Sequence, residues 1–240
     1  MRTALFSSQN ECLPTINHLD MGAKIGYSFF VRRRQPLVSL CSMFAAHWIR
    51  MLTDTPPRKK NRESFSISDR TKALELPHDG QLVKLSGFIE SAMKDGAIGD
   101  VRVACAEFLD TASEFYNVPP CPVRVLAARP LRVREYSTTE LFGDYHPSTM
   151  LIRVWMRTAV RREVTSFGTF LSTVCHEFCH HLDFHRFGFQ DSWHTRGFYE
   201  RAGALYHHSK STPAKQLFWR PATGRRWRID WPRTNRSRIS

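Results

Sequence analysis

One stretch limits the possible folds of this chain more than any other. From residue 167 to residue 187 apolar side chains recur at helical spacing, with Phe170, Leu171, Val174 and Leu182 suited to anchor a helix on a core. Ser166 is a candidate N-cap, and Gly188 is a candidate C-terminal stop. Any fold for this sequence has to provide a core on which that helix can lie.

The flanking sequence suggests what that core is made of. Residues 81–93 place Leu82, Leu85, Phe88, Ile89 and Ala92 at helical spacing. Residues 100–116 do the same with Val101, Ala104, Cys105, Phe108, Leu109 and Ala112, and Pro119, Pro120 and Pro122 close that pattern. Residues 123–127, 131–136 and 150–156 read as extended, with turn chemistry at 143–147. A further helix is expected to start near Asp191 or Ser192, carrying Phe198, Ala202 and Leu205 inward. Helices, a small sheet and then helices again make an α+β arrangement. The strand at 150–156 reads either as an edge strand above the long helix, where an extended substrate could pair with it, or as a strand buried on both sides, with Arg153 and Arg157 on one face favouring the first.

Charge divides the chain into three parts. The net charge of +13 separates into +7 for residues 1–62, −2 for 63–209 and +8 for 210–240. The middle part reads as the folded domain. The first is expected to be a poorly structured basic extension, and the last an irregular one rich in Trp and Arg that packs aromatics on the domain. Basic ends of this kind can contact nucleic acid non-specifically through phosphates, or can simply stay solvated. No apolar run reaches the roughly 18 residues needed to span a bilayer. Arg32, Arg33, Arg34 and the apolar run after them resemble part of a secretory signal, but they lie late and lack a clear cleavage site. The six cysteines form no Cys-x-x-Cys pair and are too sparse for a disulfide framework, which points to reduced thiols and a cytoplasmic location.

The chemistry is concentrated in the long helix. His176, Glu177 and His180 form a His-Glu-x-x-His sequence, and a spacing of four puts both imidazoles on one helix face. There they can bind one zinc ion, while Glu177 reaches a water on that ion without being a ligand and takes its proton as it attacks a carbonyl. A third protein ligand is expected. His194, on the return towards the next helix, is the favoured candidate and Glu200 the competitor. His181 and His185 form another pair with the same spacing, but about 100° around the helix, and read as surface or partly packed residues. Cys175 and Cys179 point off the ligand face and read as small packed hydrophobes.

His176-Glu177-Phe178-Cys179-His180, followed after a gap by His194-Thr195-Arg196-Gly197-Phe198, resembles the SprT-like metalloproteases, the group that includes the Spartan proteases. The resemblance runs from about Val101 to Tyr206. It implies a compact zincin-like domain, with a small, mostly antiparallel sheet packed against helices and the His-Glu-x-x-His helix at its centre. It also implies zinc held by His176, His180 and His194, with Glu177 as general base in the hydrolysis of protein or peptide substrates. Thr195 departs from the glycine that many relatives carry after the third histidine. No cysteine follows Cys179, so the zinc ribbon of many relatives has no counterpart here. The competing function is that of a nucleic-acid-associated zinc protein, either a protease recruited to DNA or a binder without activity. Glu177 separates catalysis from mere binding, because a structural zinc site has no use for a general base.

Overall fold

The computed structural model describes residues 51–134 and 137–236. Its elements in chain order begin with α1 (Arg62–Arg70), α2 (Gln81–Asp95), α3 (Ile98–Tyr116), β1 (Val123–Ala128), β2 (Leu131–Arg134) and β3 (Ser137–Glu140). They continue with β4 (Gly143–His146), β5 (Leu151–Arg157), α4 (Phe167–His185), α5 (Arg196–Ser209), β6 (Trp219–Ala222), β7 (Arg226–Ile229) and α6 (Trp231–Arg236). This is a mixed α+β arrangement of helices and small sheets. No helix among the described residues is long and apolar enough to cross a membrane.

The axis of the core is α4. Its first turn is capped by the Ser166 hydroxyl, which accepts from the Thr169 amide at 3.3 Å. Phe170, Leu171, Val174, Cys175, Phe178, Cys179 and Leu182 lose essentially all contact with solvent. They pack against α2, α5, β4 and β5, and Phe178 meets Tyr116 of α3. Past the helix end, Gly188 adopts φ +70°, a left-handed geometry that glycine reaches without steric cost. The predicted inward residues of α2 and α3 are buried or half-buried, except Phe88, which is 48% exposed.

The strand order in the largest sheet is β1-β5-β4, with β5 parallel to β1 and antiparallel to β4. Strand β5 is therefore the central strand, and the expectation that it offers a free edge is corrected. Both of its sides are occupied, in keeping with the burial of Ile152, Val154, Trp155 and Met156. The edge belongs to β4, in a stretch whose local chemistry reads as a turn. What makes it a strand is cross-strand pairing. Asp144 lies opposite Arg153 and accepts two guanidinium hydrogen bonds, at 2.7 and 2.6 Å. The turn itself falls at 147–150, where Met150 takes φ +54°.

Helix α5 begins at Arg196, later than its sequence pattern suggests. Residues 188–195 are a loop held by Phe189 N donating to Asp183 O at 2.7 Å and Ser192 N donating to Phe189 O at 2.9 Å. Thr195 is the N-cap, accepting from Phe198 N at 3.1 Å. The helix packs on α1 at very short range, and Gly197 makes that approach possible. A β-carbon there would lie 2.1 Å from Ser68 O and 2.6 Å from Thr71 O.

Residues 210–236 contain an antiparallel hairpin and a short helix, where an irregular extension was expected. Alternation explains the hairpin. Trp219, Pro221, Trp227 and Ile229 share one face, and Arg220 pairs with Arg228 on the other. Trp219 meets Tyr199, and Arg196 lies over the Trp227 ring. Residues 1–50 of the expected N-terminal extension lie outside the described residues. Residues 51–55 form an extended strap against β7, with Leu52 bridged to Arg228.

Gly197→Ala should lower stability by about 1–3 kcal/mol, the usual cost of overpacking. Gly203→Ala, in the same helix with nothing within 4 Å of the added carbon, should be neutral or stabilising. Thermal or urea unfolding of the two variants beside the wild type checks the contrast.

Candidate metal centre

The histidines of α4 lie one turn apart, as their spacing requires, and the loop before α5 brings His194 against them. One ring nitrogen from each of His176, His180 and His194 lies within 4.8 Å of the other two. His176 Nε2 and His194 Nε2 are 3.1 Å apart. Ligand nitrogens on a tetrahedral zinc at about 2.05 Å would stand about 3.3 Å from one another, so the spacing suits a small metal ion. Among the described residues this is the group of His, Cys, Asp and Glu side chains close enough to hold a metal. Glu200, the competing third ligand, instead accepts from Trp219 Nε1 at 3.3 Å.

Neighbouring groups decide which nitrogen each ring can present. The Ser192 hydroxyl donates to Asp183 Oδ2 at 3.1 Å, so its oxygen accepts from His180 Nδ1 at 2.7 Å. That puts the His180 proton on Nδ1 and leaves Nε2 for a metal. Asp183 in turn receives Arg201 Nη2 at 2.7 Å, both side chains being fully buried. The Asp54 carboxylate accepts from the His194 amide at 2.9 Å and lies 3.4 Å from His194 Nδ1, which gives the second ring the same polarity. Phe198 touches all three imidazoles, with centroid distances of 4.9, 4.5 and 5.2 Å, and restricts their rotation from below.

Glu177 is 7% exposed and lies on the wall of an open cleft of about 800 Å³ that also includes His176, Gly143, Thr173 and Tyr199. Arg129, paired with Glu140 at 3.0 Å and stacked on Phe142, also lines the cleft. Burial, reinforced by the Asp144 charge, pushes the Glu177 carboxyl up to about 8. Desolvation works in the opposite direction on His180, holding it well below the usual imidazole range and therefore neutral, as a metal ligand must be. For Asp54, burial alone would raise the carboxyl, but the hydrogen bonds and electrostatic attraction of His194 outweigh it and hold the group below its ordinary value.

The remaining candidates are packed away from this centre. His181 is fully buried, contrary to the surface or partly packed reading. Its Nε2 donates to Pro119 O at 2.9 Å and its Nδ1 accepts from the Tyr145 hydroxyl at 3.0 Å. His185 is exposed. Cys175 and Cys179 are free and fully buried, with burial raising both thiols. Sequence reasoning did not find Asp54, Ser192, Asp183, Arg201 or the role of Phe198. Only Asp183 left a trace, being three residues beyond His180 and so on a neighbouring part of the same helix surface. The chain matches no family model, no curated protein and no solved structure.

Two measurements probe this geometry. Equilibrium dialysis should find one divalent transition metal per chain. Alanine at His176, His180 or His194 should weaken binding by at least about a hundredfold, more than the loss of an outer partner, while Glu200→Gln should leave it unchanged. In metal-free protein, Glu177 holds its proton more tightly folded than unfolded. Its contribution to stability is therefore complete below about pH 4.5 and is lost as pH rises to about 8. With chelator present, Glu177→Gln should raise the melting temperature more at pH 8.5 than at pH 5.

Proposed function

We propose that this chain is a zinc-dependent metallopeptidase of the SprT-like, zincin kind, and that it hydrolyses peptide bonds with Glu177 as general base. The observation that carries the reading is the convergence of three imidazole nitrogens beside a buried carboxylate on the wall of an open cleft. A bound zinc ion supplies Lewis acidity, lowering the pKa of water towards 7 and polarising a carbonyl. His176, His180 and His194 would hold it through Nε2, with the polarity of His180 and His194 set by Ser192 and Asp54. Beside such an ion the Glu177 carboxyl would be drawn down from its raised value and would stand ionised. As an anion it accepts a proton from the attacking water, and it then returns that proton to the leaving amine.

Among the described residues no strand pairs with the outer edge of β4, and an extended peptide fits that edge. Phe142 O accepts from Trp155 N, so with the two-residue period Gly143 and Tyr145 turn their backbone groups away from β5. Gly143 also lets that edge approach the base, because a β-carbon there would lie 2.6 Å from Thr173 Cγ2 and 3.0 Å from the Glu177 carboxylate. Val160 and Val164, 74% and 36% exposed on the cleft rim, offer apolar contact to substrate side chains.

The competing reading, contact with a polyanion, draws on a different observation. Arg225 donates to Pro56 O at 3.3 Å, so the two basic ends meet, and the exposed Arg58, Lys59 and Lys60 follow directly. The hairpin tryptophans lie on the face opposite Arg220 and Arg228, which favours phosphate contact over base stacking.

Glu177→Gln should reduce hydrolysis of an unfolded protein substrate by about 10²–10⁴-fold while the metal content stays at the wild-type level. Equal turnover by the two proteins would remove Glu177 from the chemistry. Gly143→Ala should also lower turnover, by displacing β4 from Glu177, with little change in metal affinity.

A further inference from the structure

His176 and His180 are held by the helix that carries them. His194 is not. It belongs to the loop 188–195, in which Ser192 takes φ +40°, and it precedes the N-cap Thr195, so no helical hydrogen bond fixes it. What holds it comes from 140 residues away. Asp54 N donates to His194 O at 2.9 Å, and Asp54 Oδ2 accepts from His194 N at 2.9 Å while lying 3.4 Å from Nδ1. One residue thus grips both backbone groups of His194 and faces the ring nitrogen opposite the one aimed at His176.

Asp54 is itself secured by two remote segments. Thr53, 2% exposed, donates its amide to Trp227 O at 2.8 Å, and its hydroxyl accepts from Trp227 N at 2.8 Å. Tyr199 OH donates to Leu52 O at 3.3 Å. The hairpin that receives the strap is fastened to α5 by Trp219 on Glu200 and Tyr199, and by Trp227 under Arg196. His180 differs, since its support runs through Ser192, Asp183 and Arg201, which all belong to α4, α5 or the loop between them.

We propose that Asp54 is a positioning residue for the third metal ligand, and that the strap 51–55 pinned on the β6–β7 hairpin is the brace that completes the site. The carboxylate fixes the ring orientation and keeps the proton on Nδ1, so that Nε2 carries the lone pair towards the metal. The two backbone bonds fix the position of the loop. The inference rests on the metal-centre reading of His176, His180 and His194. Its particular consequence is that loosening the strap weakens metal binding before it weakens the fold.

The test uses the full chain, with zinc affinity measured by competition against a chromogenic chelator and ligand geometry by the visible spectrum of the cobalt-loaded protein. Asp54→Ala should lower zinc affinity by about 10–100-fold and alter the cobalt spectrum. Asp54→Asn, which still accepts from the His194 amide but lacks the charge facing Nδ1, should show a smaller loss. Thr53→Val, which removes the acceptor for Trp227 N, should weaken binding without touching His194 directly. Leu82→Ala, a cavity in the α2 core, should lower the melting temperature and leave affinity unchanged, separating positioning from stability. Tight wild-type binding of one zinc, unchanged in both Asp54 variants, would overturn the inference while sparing the metal centre. A wild type that binds no zinc would overturn both.

Discussion

One guanidinium holds together the two helices next to the three clustered histidines. Arg201 of α5 is 1% exposed, receives the buried carboxylate of Asp183 from α4, and reaches the carbonyls of Ser68 and Thr71 at the end of α1. Phe187 and Phe189 lie against its planar face. A charge this far from water is stable only when its donors are matched, and leaving either partner alone would cost about 3–5 kcal/mol. The same carboxylate orients Ser192 and through it His180. The contact that joins α1, α4 and α5 is therefore also the contact that aims one imidazole. The close approach at Gly197 follows from it, since the α1 carbonyls that Arg201 engages are the ones a β-carbon would strike.

Burial at the centre is graded in a way that suits cation binding. Glu177 and His180 are both disfavoured in their charged forms by desolvation. A divalent cation held there would reverse the preference of the carboxylate while satisfying the lone pairs of the imidazoles. Asp54, held below the ordinary carboxyl range by His194, lies on the outer side of that ring, where its negative charge would offset part of that of a bound cation.

The extent to which the sequence was legible follows the range of the forces involved. Helix α4 could be read because its cap, period and stop are local, and so could the shared face of His176 and His180. Strand β5 could be read as a strand from Met150 to Met156, but its position in the sheet could not, since alternation does not say which neighbours flank it. Gly143 was read as turn chemistry because its neighbours are Asp, Tyr, His and Pro. In the structure Asp144 is drawn into the sheet by Arg153, and Gly143 is required by the closeness of Thr173 and Glu177. Asp54 left no signal. Its importance arises from hydrogen bonds across 140 residues, and no local pattern records such a partner.

The strap has a consequence for how the molecule is made. Synthesis runs from the first residue to the last, so Asp54 emerges before α4 and α5, while the strand that pins its segment, β7, emerges after both. On a ribosome there is consequently an interval in which His176 and His180 are already in place on their helix but His194 has no fixed support. The group of three histidines is held short of completion until residues 227–229 are available to close the brace. The order of translation thereby separates the moment His176 and His180 come to share a helix face from the moment His194 is braced against them.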